Sequence, residues 1–222
     1  MINTLIVIPA YNEETTIHKV VLACKKFGTV LVVNDGSKDQ TSFIAEKAGA
    51  EVINSLTNHG YDFALNLGYQ FALHNDFAVM VTFDGDGQLP VKNLPFFIDA
   101  ISNGFDIVIG VRSSPPRFCE KFLGFFSKIY LNLHDPYCGM KAYRLDFCSE
   151  KKIFSSYKSI GTDLALTIAL NGGSISNIPI SISPRFDQSR FGNRIISELK
   201  LFPSMFLGLS RIVLHKLKNF LS

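Results

Sequence analysis

The stretch Ala78-Val-Met-Val-Thr-Phe-Asp-Gly-Asp-Gly-Gln88 decides the fold. Ala78 to Phe83 has the length of one buried strand, and the Asp-Gly-Asp-Gly that follows ends it abruptly. The same arrangement recurs along the chain. Leu5 to Ile8 runs into Pro9-Ala-Tyr-Asn-Glu13, Val30 to Val33 into Asn34-Asp-Gly-Ser37, and Ile107 to Ile109 toward Arg112. Between these runs the spacing is helical. Over 14–27, Ile17, Val20, Val21 and Cys24 fall on one face, and over 62–73 so do Phe63, Leu67 and Phe71. Strand-length runs alternating with helices predict an α/β domain with a mostly parallel central sheet. In open sheets of this kind ligands gather outside the carboxyl ends of the strands, where the polar residues of this chain accumulate.

A chain of 222 residues accommodates one sizeable domain and a tail. Its 47% hydrophobic and 18% charged residues exclude long-range disorder. The formal charge is +3, yet residues 185–222 alone hold seven Lys or Arg against two Asp or Glu, a local excess of five. Cys24, Cys119, Cys138 and Cys148 form no CxxC pair and no zinc spacing, which fits a reducing compartment. No basic region precedes the apolar run at the start, and Leu201 to Ser210 is too short to span a bilayer. The expectation is a cytoplasmic protein, peripheral on the membrane at most, with no nucleic-acid partner.

Beyond Arg112 the pattern loosens. Ser113-Ser-Pro-Pro116 is a break, Phe118 to Leu133 reads as a helix, and His134-Asp-Pro-Tyr-Cys-Gly139 as a turn-rich loop. Ser159 to Leu170 is helical, ended by Asn171-Gly-Gly173, and Ser174 to Ile182 alternates like a strand. From Asn193 to the end the spacing is that of one long amphipathic helix containing Pro203. The division expected is a catalytic domain over 1–192 and a helical tail over 193–222.

Asp84 and Asp86 lie two apart on chain leaving a strand, so their carboxylates can point the same way. Hard divalent cations take oxygen ligands, and Mg²⁺ in particular uses one or two carboxylates and leaves room for substrate phosphates. The same residues also suit an ordinary Asp-Gly turn. Asp35 can accept hydrogen bonds from a base or ribose, or simply cap the helix after it. Neither GxGxxG nor GxxxxGK[ST] occurs, which removes the main support for a dehydrogenase or a P-loop kinase.

Taken in order, six segments resemble family 2 glycosyltransferases of the GT-A fold. They are Val7-Ile-Pro-Ala-Tyr-Asn-Glu-Glu14, Val33-Asn-Asp-Gly-Ser37, Asn58-His-Gly60, Phe83-Asp-Gly-Asp-Gly-Gln88, Asp135-Pro-Tyr-Cys-Gly-Met-Lys-Ala-Tyr-Arg144 and Asn177-Ile-Pro-Ile180. Within that family the chain is most similar to the dolichyl- and polyprenyl-phosphate sugar synthases. The resemblance implies a nucleoside-diphosphate sugar donor, Mg²⁺ or Mn²⁺ as cofactor, and a single inverting displacement onto polyprenyl phosphate or a cell-envelope glycan intermediate. It implies that Pro9, Tyr11, Glu13 and Asp35 hold the base and ribose, and that Asp84, Asp86 and Gln88 surround the metal and diphosphate. Arg112, Arg185 and Arg190 would also meet the donor, with Arg185, Ser189 and Arg190 closing over phosphates. Asp163 takes the position of the acidic residue near the acceptor. A hydroxyl acceptor needs such a base, whereas a phosphate with a second pKa near about 6 does not.

The chain departs from the family in three places. Only 22 residues separate Arg112 from Asp135, where a longer stretch shapes the acceptor side, and Tyr61-Asp62 replaces a basic or small pair. Around Ser189 the spacing is one residue short, the glycine is missing and Arg190 replaces lysine. These departures keep a nucleotide-binding or partner-binding homologue without catalysis in view; a nucleotidyltransferase would need a basic Gly-rich loop where the acidic Pro9 to Glu14 stands. Ile195, Leu199, Phe202, Phe206, Leu209, Val213, Leu217 and Phe220 form an apolar stripe on the last helix, beside Arg211, His215, Lys216 and Lys218. Such a helix lies in an anionic membrane interface or packs on protein.

Overall fold

The structure, a computed structural model, describes residues 2–115, 117–150, 160–184 and 194–221. Strands β1 (Thr4–Ala10), β2 (Thr29–Asp35), β3 (Glu51–Ser55) and β4 (Val79–Thr82) alternate with helices α1 (Ile17–Cys24), α2 (Thr41–Lys47) and α3 (Tyr61–His74). A single 3₁₀ turn leads into α4 (Leu94–Ser102), followed by β5 (Ile107–Arg112), α5 (Phe118–Leu131), β6 (Lys141–Arg144) and α6 (Leu145–Glu150). Then come α7 (Ile160–Leu170), β7 (Ile175–Ile180) and α8 (Arg194–Leu221).

The seven strands form one sheet in the order β3-β2-β1-β4-β6-β5-β7. Every pairing is parallel except the two made by β6, which runs antiparallel between β4 and β5. Buried on both faces, β1, β2 and β4 are near-continuous apolar runs, as parallel strands covered by helices must be. Pro179 is tolerated in β7 because β7 is an edge. The register sets Ala10 beside Asn34, Asp35 beside Ser55, and Val7 beside Thr82. The polar residues that follow β1, β2 and β4 therefore emerge at one end of the sheet.

Four of the expected strands are present, along with β7, and Ile17, Val20, Val21 and Cys24 are the buried face of α1. The buried face of α3 differs from the expected one. It consists of Ala64, Leu65, Gly68, Tyr69 and Ala72, while Phe63 is exposed and stacks on His59 with ring centroids 4.4 Å apart. The reason is closeness. A Cβ on Gly68 would collide with the Val7 side chain, so α3 lies against β1 along its small residues and turns its large ones outward. The expected stripe on α8 likewise stays outside. Met205, Gly208 and Ile212 are buried, whereas Leu199, Phe202, Phe206, Val213, Leu217 and Phe220 are exposed. The helix runs on through Pro203 and packs against α5 and α7.

Gly68→Ala should lower stability by about 1–3 kcal/mol through overpacking against Val7, even though alanine favours a helix interior by about 1 kcal/mol. Urea unfolding of the two proteins measures it; an unchanged or higher midpoint would show that α3 can move off β1 freely.

Candidate active site

The loops at the carboxyl ends of β1 and β2 are stapled together. Asn12, at φ 54°, accepts the Lys38 N–H on its Oδ1 (2.8 Å) and donates its own N–H to Ser37 Oγ (2.9 Å). The Glu13 N–H donates to the buried Thr41 hydroxyl (2.7 Å), and Gln40 N–H to Glu14 Oε2 (3.0 Å). Pro9 and Tyr11 are half-buried on this loop, and the Glu13 side chain is buried against Gly85.

Asp35, at the end of β2, is buried. Its carboxylate accepts the backbone N–H of His59 (3.0 and 3.1 Å) and of Gly60 (2.6 Å). It holds the loop before α3 rather than capping α2. Gly36 follows at φ 73°, and a Cβ there would lie 2.6 Å from the Thr57 carbonyl carbon, so only glycine permits the approach of that loop. Tyr61 then begins α3 and donates its hydroxyl to Asp84 Oδ1 (3.1 Å).

Asp84 and Asp86 follow β4 with Gly85 buried between them. The Thr16 hydroxyl donates to the Gly85 carbonyl (2.7 Å), fastening this turn to α1. Asp86 Oδ1 accepts the Gln88 N–H (3.0 Å), and Gln88 Nε2 donates to the Ser183 carbonyl (3.0 Å). On its other side the Asp84 carboxylate lies against Gly139, where a Cβ would collide with it, and the Thr82 hydroxyl fixes that glycine by donating to its carbonyl (2.7 Å). Burial first, and then the charge of Asp86, raise the Asp84 pKa to about 6, against the lowering effects of Tyr61, Lys141 and Arg112.

Behind Asp84 lies a buried charged layer. Arg112, ending β5, makes a two-pronged pair with Asp135, Nε to Oδ2 at 2.7 Å and Nη2 to Oδ1 at 2.8 Å, and its Nη2 is also 3.2 Å from Glu120 Oε2. Arg117 binds the other Glu120 oxygen at 2.6 Å. Lys141 opens β6 beside Thr82, is 3% exposed, and donates from Nζ to the Cys138 carbonyl. Burial pushes its pKa down. Asp163, in the first turn of α7, pairs with Arg211 of α8, which also donates to the Thr167 hydroxyl (2.8 Å).

The structure thus brings Glu13, Asp84, Asp86 and Gln88 together, with Asp35 one loop away and Arg112 in the layer behind. Asp163 is tied to α8. Arg185, Ser189 and Arg190 lie outside the described residues. Tyr61, Gly139 and Lys141 are parts of the site that their residue types alone did not single out. A signal for Lys141 was its place in Met140-Lys-Ala-Tyr143, a lysine on a short alternating run that emerges as a strand buried between two others.

An α/β sheet in this strand order, with paired carboxylates at a strand end and its loops cross-linked around them, has the architecture of the GT-A fold. The model of the family described as glycosyl transferase family 2 matches residues 5–120, and the chain belongs to that family. A dolichyl-phosphate hexose transferase of Haloferax volcanii is 29% identical over 198 residues, 83% of this chain and 85% of that protein. A polyprenol monophosphomannose synthase of Mycolicibacterium smegmatis is 30% identical over 208 residues, 82% of this chain and 78% of that protein. Among solved structures, glucosyl-3-phosphoglycerate synthase of Mycobacterium tuberculosis, in complex with Mn²⁺, UDP-glucose and phosphoglyceric acid, superposes with a TM-score of 0.71 at 15% identity. The match covers 95% of this chain and 79% of that one, and the likeness is one of fold.

A raised carboxylate pKa has a sign that can be tested. An unfolded chain releases the Asp84 proton near 3.8 and the folded one near 6, so the folded state binds the extra proton between these values. Stability should therefore fall by about 3 kcal/mol in all as pH rises from below 4 to above 6, and Asp84→Asn should remove most of that fall. Denaturant titrations of both proteins at pH 4 to 8 without divalent cation measure it; parallel curves would contradict the assignment.

Proposed function

We propose that this chain transfers a sugar from a nucleoside-diphosphate sugar to a polyprenyl phosphate with inversion at the anomeric carbon, using Mg²⁺ or Mn²⁺. The observation that supports this best is the pair Asp84 and Asp86 at the end of β4, where burial first, and then the charge of Asp86, raise the Asp84 pKa to about 6. Like charges brought together beside a buried layer are stable once a cation joins them. Among the described residues no group of three or more His, Cys, Asp or Glu could hold a metal ion. Asp86 and Gln88, with Asp84, would hold the cation, which supplies Lewis-acid neutralisation of the departing diphosphate.

The chain's own residues do the positioning. Pro9, Tyr11, Glu13 and Asp35 would receive the base and ribose, with Asp35 also keeping the Asn58 to Tyr61 loop in place. The Tyr61 hydroxyl and the bare Gly139 backbone fix the Asp84 carboxylate from two sides. Arg185 and Arg190, outside the described residues, would approach the phosphates from the segment that precedes α8. On the acceptor side, Asp163 already carries Arg211 on one oxygen. That favours an acceptor whose attacking oxygen needs no base, which is what a phosphate is near neutral pH. The names of the relatives from Haloferax and Mycolicibacterium point to lipid-phosphate chemistry as well.

A lipid-linked acceptor requires access to a membrane surface. No helix among the described residues is long and apolar enough to cross one. Instead α8 exposes Phe202, Phe206, Val213, Leu217 and Phe220 near Lys216 and Lys218, and α5, packed against it, exposes Phe118, Phe122, Phe125 and Ile129 near Lys121 and Lys128. Apolar residues bordered by lysines suit the interface of an anionic bilayer.

Turnover of radiolabelled UDP- and GDP-sugars with Mn²⁺ and a short-chain polyprenyl phosphate tests the reaction. Asp86→Ala should cut product formation by about a hundredfold or more, the scale on which a lost transition-state electrostatic contact acts. A variant that turned over like wild type would sink the assignment. For the membrane contact, Phe206→Asp combined with Leu217→Asp should sharply reduce flotation with liposomes containing anionic lipid, and undiminished recovery would count against it.

A further inference from the structure

One buried charge has no part in the mechanism above. Lys141 is 3% exposed, and its Nζ donates to the Cys138 carbonyl. An ammonium has three protons to place. Among the described residues no carboxylate lies within ion-pair distance of it, although Asp84 and Asp135 act on it from further off. Arg112, the neighbouring cation, is by contrast matched by Asp135 and Glu120. A buried cation with incomplete pairing is costly to maintain, and a site that keeps one does so for a partner of opposite charge.

The surroundings indicate where that partner enters. Lys141 and Tyr143 share one face of β6, and the Tyr143 hydroxyl donates to the Gly161 carbonyl (3.2 Å) at the start of α7. Gly161 also borders the ammonium, since a Cβ there would lie 3.8 Å from Nζ. Gly139, two residues before Lys141, borders the Asp84 carboxylate. Gly161 thus borders the ammonium and Gly139 the Asp84 carboxylate, each without a side chain of its own.

We propose that the Lys141 ammonium is a phosphate contact of the transfer site, meeting a phosphate oxygen of the bound substrates between Gly139 and Gly161. The inference rests on the reading of the Asp84–Asp86 cleft as a nucleoside-diphosphate site. Its chemistry is shared by two sources, the diphosphate of the donor and the phosphate of the acceptor, and binding measurements separate them.

The experiment is calorimetric titration of the full chain and of Lys141→Met with UDP and UMP, GDP and GMP in Mg²⁺, and with a short-chain polyprenyl phosphate. Losing a charge-assisted contact should weaken the ligand concerned by about tenfold or more. A loss for the diphosphate and not the monophosphate places Lys141 on the donor; a loss for the polyprenyl phosphate alone places it on the acceptor. Should Lys141→Met fail to fold, the ¹⁵N resonance of the wild-type Lys141 ammonium is followed instead, and it should shift on addition of one of these ligands. Unchanged affinities in a folded variant, or an unmoved resonance with ligand bound, would overturn the inference and leave the glycosyltransferase reading standing. A wild type that bound none of these ligands would overturn both.

Discussion

The carboxylate of Asp35 is the interaction on which the arrangement of the cleft depends. It is buried at the end of β2, and a buried carboxylate must collect hydrogen bonds or lose its charge. The donors it finds are the backbone N–H groups of His59 and Gly60. Because these lie at the entry to α3, satisfying Asp35 fixes where that helix starts, and Tyr61, its first residue, arrives beside Asp84. The body of α3 is then held by Gly68 against Val7 of β1. One carboxylate at a strand end therefore links the β2 loop, the α3 axis and the paired carboxylates after β4.

Charge is layered through the site. At the mouth, burial first and then the charge of Asp86 raise the Asp84 pKa. Behind them, Arg112, Asp135, Glu120 and Arg117 compensate one another through close contacts. Such a closed network stabilises geometry and leaves little net field of its own. Among the described residues, Asp84 and Lys141 are the members less completely matched, Asp84 by the Tyr61 hydroxyl and Lys141 by the Cys138 carbonyl. Incompletely paired charge thus lies at Asp84 and Lys141, and the compensated pairs hold the frame.

The frame was legible because its determinants are local. The apolar runs of β1, β2, β4 and β5 and the stripe Ile17, Val20, Val21, Cys24 follow from period and composition alone. The convergence of loops followed from parallel register, which places successive carboxyl ends at one edge. What escaped were features set by contact between distant segments. The strand β6 has only Ala142 and Tyr143 between two cations, so nothing in its composition announces an interior strand; its pairing with β4 and β5 makes it one. The face of α3 was misplaced toward Phe63 because hydrophobicity favours the phenylalanine, whereas packing selected the glycine that lets two backbones approach. Arg185, Ser189 and Arg190 remain sequence expectations, outside the described residues.

The last helix shows how one pattern can serve two surfaces. Its spacing yields an apolar stripe, yet burial falls on Met205, Gly208 and Ile212, so the large residues of the stripe are left for something other than this chain's core. Orientation of that outer face is not left to apolar contact, which is weakly directional. Arg211 reaches across to Asp163 and Thr167 of α7, and Tyr137, from the loop before β6, shares a hydrogen bond with Ser204 (2.8 Å). These contacts of α8 are made with the elements that border Lys141 and Gly139, while Glu198 of α8 accepts the backbone N–H of Phe118 and of Cys119 at the start of α5. A surface that seated the exposed phenylalanines would be held at a fixed angle to the cleft, which is what a transferase needs if its acceptor phosphate is anchored in a bilayer and its donor comes from water.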